Sequence, residues 1–287
     1  ALLSDMGADV IKIELPRFGD QARRIRVAYD DSRSAYFFAC NRGKRSLTLD
    51  LRTREGANVM LRLVETADVV VSNFKPGTLD DWGLGYEDLA ASNSRIILAA
   101  GSAFGSVGPD AEREGADLGG QAAGGLISTT GRDGDPPTPV GATIADHIGS
   151  QNMVSGILAA LYSRERTGRG QKVDVSLLGG QIWAQAAEYS HYLMTGENPG
   201  RANYGHALIH SIYRIFETAD GWIGIIGVPA HTKDAFFVAV ERPELSVDPR
   251  FQRLLMKPQD RAWLVAELEN IFVERTTGDW CKVLEEA

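Results

Sequence analysis

Features that would place a protein in a specialised class are scarce in these 287 residues. The two cysteines, Cys40 and Cys281, lie far apart and outside any C-x-x-C spacing, so reduced thiols are predicted rather than a disulfide framework or a zinc site. No apolar run reaches the roughly 18 residues of a transmembrane helix, and the N-terminus lacks the pattern of a secretory signal. We therefore expect a cytoplasmic protein that binds no metal and no membrane.

Basic side chains are outnumbered. Lys and Arg together number 30 against 38 Asp and Glu, which gives a net charge of −8. Nucleic acids and anionic membranes require a basic face, so neither is expected as a general partner. A local basic pocket for a phosphorylated small molecule remains compatible with this charge. The hydrophobic fraction of 44% and the charged fraction of 24% are those of an ordinary globular protein with a sizeable core.

The motifs of several common enzyme classes are also missing. No G-x-G-x-x-G or G-x-x-x-x-G-K-[ST] stands between a strand and a helix, which argues against a Rossmann dinucleotide site or a P-loop. There is no G-x-S-x-G elbow, and the five histidines show no H-E-x-x-H spacing. His147 adjoins Asp146, but neighbouring residues at a helix start point in different directions, so a catalytic dyad is not implied.

What the sequence does contain is an alternation of short apolar runs and helix-like segments. Strands are predicted at Asp9–Leu15, Ser46–Leu51, Asp68–Ser72 and Arg95–Ala100. Helices are predicted at Leu79–Ser92 and at Thr53–Glu65, the latter with Thr53 as its cap. This alternation predicts an α/β fold with a parallel, doubly wound sheet and right-handed crossovers.

The loops that follow the strands are the informative ones, because ligands of such sheets bind beyond the carboxyl ends of the strands. The loop after Ser72 begins with Asn73, Phe74 and Lys75, and so combines a polar group, an aromatic face and a cation. The alternative reading is a plain turn in which Phe74 covers the core. Spacing alone does not separate these two readings.

The C-terminal part of the chain has a different pattern. The predicted elements there are a helix at Gln181–Met194, an irregular polar linker at Gly196–His210, a hairpin at Tyr213–Val228 that turns at Asp220-Gly221, and helices at Thr232–Glu241, Asp260–Glu274 and Thr277–Glu286. Residues 1–180 are thus predicted as a large α/β domain, 181–212 as a linker of helix and loop, and 213–287 as a smaller α+β domain. Because the chain does not begin with Met and Ala1–Gly7 resembles the end of a helix, we expect a piece of a longer protein.

A single carboxylate, Asp146, stands out within the stretch Thr129–Ser176. A Gly- and Pro-rich loop leads to it, an apolar helix follows and ends near Gly168, and a strand comes next. Spacing alone favours a helix N-cap, where backbone N–H groups and a positive potential favour the ionised carboxylate. The ionised form is also the one that a carboxylate nucleophile needs, so covalent catalysis is the second reading.

Several motifs in a fixed order resemble those of the family III CoA-transferases, the CaiB/BaiF group that includes formyl-CoA:oxalate and crotonobetainyl-CoA:carnitine CoA-transferases. These motifs are DMGADVIKIELP, NRGKRSLTLDL, ADVVVSNFKPGTLDDWGL, GGQAAGGLISTTG and LAALYSRERTGRGQKVDVSL. The resemblance extends over nearly the whole chain. It implies a Rossmann-like large domain that binds CoA, a smaller α+β domain inserted into it, and a homodimer whose subunits interlock like chain links. In that arrangement residues 213–287 would stop before the return to the large domain.

The resemblance also implies roles for individual residues. Asp146 falls at the position of the family's nucleophile, which moves CoA from an acyl-CoA to a carboxylic acid through aspartyl anhydride and aspartyl-CoA thioester intermediates. The residues that fall at the family's CoA site are Leu49, Arg52, Asn73, Phe74 and Lys75, together with Asp117, which matches an acidic residue near the reacting centre. CoA and acyl-CoA enter as substrates, with no metal.

Three positions depart from the family's phosphate contacts. Leu15 and Asp81 stand where relatives have arginines, and Glu114 stands where a lysine is found. The nearby cations that are candidates to compensate are Arg17, Lys44 and Arg45.

Two alternative functions share this fold or this ligand. The α-methylacyl-CoA racemases use a histidine in a G-H-D context to exchange a proton, but here Ala116 replaces that histidine and makes racemisation unfavoured. A non-catalytic acyl-CoA-binding protein is the other alternative, and the intact Asp146 argues against it. The acceptor pocket is expected to involve His206, His210 and Tyr213, whose types do not select one acid.

Overall fold

The computed structural model describes residues 1–209, 211–251 and 256–287. Its strands are β1 (Val10–Glu14), β2 (Lys44–Thr48), β3 (Val69–Ser72), β4 (Ile97–Ser102), β5 (Lys172–Ser176), β6 (Tyr213–Glu217) and β7 (Trp222–Ile226). Its α-helices are α1 (Leu2–Asp5), α2 (Ala35–Asn41), α3 (Arg54–Val64), α4 (Thr78–Asp81), α5 (Tyr86–Ser92), α6 (Asp117–Ala123), α7 (Leu126–Thr129), α8 (Ile144–Thr167), α9 (Leu177–Ala184), α10 (Ala186–Thr195), α11 (Lys233–Ala239), α12 (Pro258–Phe272) and α13 (Thr277–Glu286). Short 3₁₀ helices lie at Gln21–Arg24, Pro243–Ser246 and Pro249–Phe251.

The chain forms two compact units, the first of residues 1–124 and 142–184 and the second of residues 125–141 and 185–287. In the first unit β1 pairs with β2, and β3, β4 and β5 form a sheet in that order, with every pair parallel. The predicted mixed α/β fold with parallel strands is confirmed. The second strand begins and ends earlier than predicted, at Lys44 and Thr48. The predicted domain boundaries at residues 180 and 212 stay a prediction.

Two helices predicted as continuous are interrupted. The segment Leu79–Ser92 forms α4 and α5, because Gly83 takes a left-handed φ of 68° between them. The segment Gln181–Met194 is divided between α9 and α10 at Gln185, whose φ of −111° and ψ of 32° are not helical. By contrast, Thr53 caps α3 as predicted, since its side chain accepts the backbone N–H of Gly56 at 3.0 Å.

The long helix α8 runs antiparallel to the strands it covers. Near its C-terminal end the buried guanidinium of Arg164 donates to the carbonyl of Arg95 at 3.2 Å and to the carboxylate of Asp68 at 2.8 Å, just before β4 and β3 begin. Halfway along, Met153 lies against Gly101 near the end of β4. The N-terminus of α8, which carries Asp146, therefore lies at the carboxyl edge of this sheet.

The end of β1 is held by a buried carboxylate, Glu14. Its oxygens accept hydrogen bonds from the guanidinium of Arg23 at 2.9 and 3.0 Å, the hydroxyl of Ser46 at 3.0 Å and the backbone N–H of Asp20 at 3.0 Å. Hydrogen bonding to Arg23, more than any other effect, lowers the pKa of Glu14 to about 2. This network, which the sequence did not predict, orders the irregular segment that follows β1.

In the second unit β6 and β7 form the predicted antiparallel hairpin, and α11, α12 and α13 confirm the predicted C-terminal helices. The hairpin packs on a core of aromatic and aliphatic side chains that includes Phe216, Phe272 and Trp280, whose indole N–H donates to the carbonyl of Phe272 at 2.8 Å. His210, the last residue of the predicted linker, lies outside the described residues. No helix of the described chain is long and apolar enough to cross a membrane.

The Glu14 network predicts a stability that depends on acid. Replacement Glu14→Gln is expected to lower the free energy of unfolding at pH 7 by about 2 kcal/mol, because the ion pair with Arg23 is lost. The folded pKa of about 2 lies below that of an unfolded glutamate, so the network's contribution is present above about pH 4.3 and disappears as pH falls toward 2. Denaturant unfolding of both proteins across this range measures the difference.

The matched control is Asp9→Asn, which removes an exposed ion pair with Arg45 and is expected to change stability little. A Glu14→Gln deficit that stayed constant between pH 7 and pH 2 would contradict the assignment.

Candidate active site

The N-termini of α6 and α8 meet through one carboxylate, Asp117. Its Oδ1 accepts the backbone N–H of Ala145 at 2.7 Å and that of Asp146 at 3.2 Å. The residue at the cap position of α8, Thr143, makes no side-chain cap bond. The prediction that Asp146 is the N-cap is therefore wrong: Asp146 is the third residue of the helix, and a carboxylate from a different helix performs the capping.

The other oxygen of Asp117 is held as well. Gln121 Nε2 donates to Asp117 Oδ2 at 2.7 Å and to the carbonyl of Ala142 at 3.3 Å. Gln121 is almost fully buried, so its amide fixes the Asp117 side chain from inside the unit. Gln121 was missed in the sequence, although its position four residues after Asp117 on one helix is the spacing at which such pairs bond.

Close packing brings α6 to α8. A Cβ added to Gly120 would lie 2.9 Å from the Cβ of Leu177 and 3.0 Å from that of Ala145, distances that leave no room for a side chain. Glycine at this position lets the backbone of α6 approach the first turn of α8. The approach places Asp117 within reach of the N–H groups that it caps.

The carboxyl of Asp146 remains outside these bonds. No hydrogen bond within the described part of the chain reaches its oxygens, and the side chain is half-buried. The pKa of Asp146 is raised, first because burial removes hydration and second because the negative Asp117 adjoins it, while His147 acts in the opposite sense. The expectation that the helix end makes the ionised form more favourable than usual is therefore wrong, since burial and the neighbouring carboxylate outweigh it.

His147 itself is anchored away from Asp146. Its Nδ1 lies 2.6 Å from the carbonyl of Thr143 and 3.1 Å from the hydroxyl of that residue. Because the carbonyl can only accept, Nδ1 carries the proton in this contact. The geometry agrees with the sequence reading that the adjacent residues do not form a catalytic dyad.

The phenol of Tyr36 in α2 interacts electrostatically with the same pair. Its pKa is raised, first by partial burial and then by charge interactions that include those with Asp146 and Asp117. Sequence reasoning missed Tyr36 because residues 17–35 show no period and no helix was predicted over Ala35–Asn41.

Two of the predicted CoA contacts follow β2. The backbone N–H of Leu49 donates to the carbonyl of Glu14 at 2.9 Å, which continues the pairing of β1 and β2 by one residue. Arg52 is exposed and forms a bidentate pair with Asp50, with bonds of 2.8 and 2.7 Å. The guanidinium of Arg52 thus lies beyond the carboxyl end of β2, where the carboxylate of Asp50 holds it.

Three more of the predicted CoA contacts, Asn73, Phe74 and Lys75, follow β3. Asn73 is exposed, and the ring of Phe74 lies edge to face with Trp82 at 5.1 Å while remaining 46% exposed. Lys75 forms an exposed ion pair of 3.2 Å with Glu112. Since α8 also begins at the carboxyl edge of the sheet that contains β3, these side chains and Asp146 share one edge.

The expected acceptor residues lie in the second unit. His206 Nε2 is 3.1 Å from a carboxylate oxygen of Glu188, and its ring stands edge to face with Tyr213 at 6.3 Å. His210 falls outside the described residues. Within residues 1–209, 211–251 and 256–287, no group of three or more His, Cys, Asp or Glu side chains is arranged to hold a metal ion.

Comparison with known proteins gives one consistent result. The model of a family described as CoA-transferase family III matches residues 1–287. A succinyl-CoA–D-citramalate CoA-transferase of Chloroflexus aurantiacus is 37% identical over 288 residues, covering 99% of this chain and 70% of that protein. An acetyl-CoA:oxalate CoA-transferase of Acetobacter aceti is 36% identical over 291 residues, covering 100% of this chain and 73% of that protein. A crystal structure of a CAIB/BAIF family protein from Brucella suis matches with a TM-score of 0.82 at 36% identity, covering 99% of this chain and 76% of that one.

The packing of α6 predicts opposite effects for two neighbouring glycines. Replacement Gly120→Ala is expected to lower the free energy of unfolding by roughly 1–3 kcal/mol, because the added methyl meets Leu177 and Ala145. Replacement Gly119→Ala has open space and is expected to raise it by up to about 1 kcal/mol through helix propensity. Denaturant unfolding of the two variants gives both values, and a Gly120→Ala protein as stable as Gly119→Ala would contradict the packing.

Proposed function

Because this chain belongs to CoA-transferase family III and is a CoA-transferase, we propose that it moves CoA from an acyl-CoA donor to a carboxylic acid through covalent intermediates on Asp146. The observation that carries the proposal is the capping of α8 by Asp117. A carboxylate that capped its own helix would have its lone pairs engaged by backbone N–H groups. Asp117 takes over those bonds, and the Asp146 oxygens remain available for attack.

In the first half of the reaction, a carboxylate oxygen of Asp146 attacks the thioester carbonyl of the donor. The C–S bond breaks, CoA leaves as its thiolate, and an acyl–aspartyl anhydride remains. The thiolate then attacks the aspartyl carbonyl of the anhydride. This step releases the donor acid as a carboxylate and leaves an aspartyl-CoA thioester.

In the second half, the carboxylate of the acceptor acid attacks the aspartyl thioester and expels the CoA thiolate again. The thiolate attacks the acyl carbonyl of the new anhydride, which forms the product acyl-CoA and restores ionised Asp146. Each step exchanges one anion for another, so the sequence needs no net proton transfer. Anhydride and thioester are both activated acyl groups, and no intermediate is a deep trap.

The oxyanions that form in these steps require hydrogen-bond donors. The N–H of Gly120 donates to the carbonyl of Ala116 at 3.0 Å, and that of Gly124 donates to the carbonyl of Gly120 at 2.9 Å. Both are engaged within α6. The phenol of Tyr36, whose pKa is raised in part by the charge of Asp146, is a better candidate for this role because it can donate without disturbing a helix.

For CoA, we assign the contacts to the residues that follow β2 and β3. Leu49 and Phe74 offer apolar and aromatic surface to pantetheine or adenine, and Asn73 offers an amide. Arg52 and Lys75 bind phosphates once CoA competes with Asp50 and Glu112 for them.

For the acceptor, we propose a short dicarboxylic acid. The relatives from Chloroflexus aurantiacus and Acetobacter aceti are named for D-citramalate and oxalate, and both compounds are dicarboxylates. Incubation with a panel of acyl-CoA donors and mono- or dicarboxylic acceptors, followed by chromatography of the CoA esters, tests this class. We further propose a cytoplasmic, interlocked homodimer, with no nucleic acid or membrane as partner.

Racemisation is not favoured at this site. The position at which the racemases have their histidine is Ala116, the residue that precedes α6, and its methyl group cannot exchange a proton. Asp117 directly after it is engaged in capping α8 and in the bond to Gln121.

Loss of the nucleophile is expected to abolish transfer. Mass spectrometry after mixing the protein with a donor acyl-CoA should show an adduct on the peptide that contains Asp146. Replacement Asp146→Ala should remove the adduct and lower the transfer rate by at least about a thousandfold. The control Asp9→Ala, at the amino end of β1, should retain both. An active Asp146→Ala protein without an adduct would contradict the mechanism.

Asp117 is expected to set the acid limit of activity. Asp146 must be ionised to attack, so activity falls as pH drops through its raised pKa. Replacement Asp117→Asn keeps an oxygen for the cap but removes the negative charge, and therefore lowers the pKa of Asp146. The acid limb of kcat/KM against pH should move to lower pH in the variant. If the acid limb of Asp117→Asn stayed at the same pH or moved to higher pH, Asp117 would not raise the pKa of Asp146 as proposed.

A further inference from the structure

The departures at Leu15, Asp81 and Glu114 call for a phosphate-binding cation besides Arg52 and Lys75. The segment 10–27, which comprises β1 and the loop after it, is a candidate to supply it, since it holds five basic and two acidic side chains in a chain of net charge −8. An excess of positive charge in an acidic protein favours a polyanionic ligand at that place.

Two of the five cations of this segment, Lys12 and Arg23, form ion pairs inside the unit, and so do Arg45 and Arg52 nearby. The ion pairs are Lys12 with Asp20 at 2.6 Å, Arg23 with Glu14 at 2.9 Å, Arg45 with Asp9 at 2.6 Å and Arg52 with Asp50 at 2.7 Å. Their acidic partners are therefore already neutralised, and they do not repel an incoming phosphate.

Of the three cations named from the sequence as candidates to compensate, two lie at the amino end of the strands. Lys44 and Arg45 are the first residues of β2, paired in register with Val10 and Ile11 at the start of β1. Ligands of parallel sheets bind beyond the opposite, carboxyl ends. The amine of Lys44 is also bonded to the side chain of Asn41 at 3.0 Å.

Arg17 lies at the carboxyl end of the strands, three residues after Glu14, the last residue of β1. It is exposed, and no acidic side chain of the described residues forms an ion pair with it. The turn that presents it is closed by a bond of 2.9 Å from the N–H of Gly19 to the carbonyl of Leu15, and by the bond of 3.0 Å from Asp20 to the Glu14 carboxylate. Hydrogen bonds thus order the loop that carries the guanidinium of Arg17.

The turn closed between Gly19 and Leu15 holds the backbone of Arg17 in a conformation that costs free energy. Its φ of 67° lies in the left-handed region, which is unfavourable for a residue with a Cβ and readily adopted by glycine. Such conformations persist where the side chain is useful or the fold imposes them. The next residue, Phe18, is 63% exposed and offers a flat aromatic surface beside the cation.

We propose that Arg17 binds a phosphate group of CoA, with Phe18 packing against the adenosine, and that this pair takes the place of the cation missing at Leu15. The assignment rests on the proposed CoA-transfer function and adds to it a residue for phosphate recognition. A guanidinium forms two parallel hydrogen bonds with phosphate oxygens, and adenine stacks on an aromatic ring.

The decisive variant is Arg17→Gly, which removes the cation and relieves the backbone. Its Kd for CoA, from titration calorimetry, is expected to rise roughly tenfold to a hundredfold, the range for a lost charge-assisted hydrogen bond. Its thermal midpoint is expected to be equal to or above that of the wild type, because glycine tolerates the left-handed φ. Replacement Arg17→Lys should restore part of the affinity.

Two matched cations serve as controls. Arg24→Ala removes an exposed charge from the same segment, and Arg45→Ala removes one from the amino end of the strands. Both should bind CoA nearly as the wild type does. Titration with dephospho-CoA identifies the phosphate: equal affinity of wild type and Arg17→Gly for that compound assigns the 3′-phosphate, and a retained difference assigns the pyrophosphate.

Transfer kinetics separate this inference from the proposed function. Arg17→Gly should raise KM for acyl-CoA with little change in kcat, and the adduct on Asp146 should still form. Wild-type affinity in Arg17→Gly, or an equal loss in Arg24→Ala, would overturn the role of Arg17 while leaving the transferase intact. A wild-type protein that neither binds CoA nor forms the adduct would overturn both.

Discussion

The bond from the Asp117 carboxylate to the first turn of α8 is the interaction on which the rest of the site depends. A long helix presents unpaired N–H groups at its start, and an anion placed there contributes about 1 kcal/mol. In this protein the anion comes from a second helix, and the two backbones approach closely enough only because Gly120 has no side chain. The same carboxylate caps α8, is fixed by Gln121, and adjoins the proposed nucleophile.

The position of two carboxylates side by side has a chemical consequence. A carboxylate whose conjugate acid is weaker donates its electron pair more readily, provided that it is ionised at the working pH. Burial and Asp117 both raise the pKa of Asp146. In the proposed reaction, the tetrahedral intermediates of the first and last steps divide between expulsion of the aspartate and expulsion of the CoA thiolate. A more basic aspartate is the poorer leaving group, so a raised pKa of Asp146 favours cleavage of the C–S bond in the first step and slows release of the aspartate in the last.

Sequence reasoning succeeded where a structure depends on neighbours along the chain. Thr53 caps α3 from three residues away, and Gly168 ends α8 with a φ of 73°. The sequence did not predict contacts between residues that are distant along the chain. One example is the Asp117 carboxylate, which caps α8 through the N–H of Ala145, 28 positions later. The split of Leu79–Ser92 into two helices depends on a single left-handed glycine, which a helical period does not reveal. The proposal that Asp146 is catalytic came from the family resemblance, since spacing alone favoured a cap.

The length of α8 explains why Asp146, the proposed nucleophile, lies beyond the sheet and not over it. A helix of 24 residues extends about 36 Å, whereas the five-residue strand β5 extends only about 17 Å. Arg164 fixes one end of the helix at the amino edge, and Met153 meets Gly101 close to the carboxyl edge. The seven residue steps from Met153 back to Asp146 add about 10 Å. The first turn of α8 therefore projects past the ends of the strands, where α6 packs against it and supplies its cap.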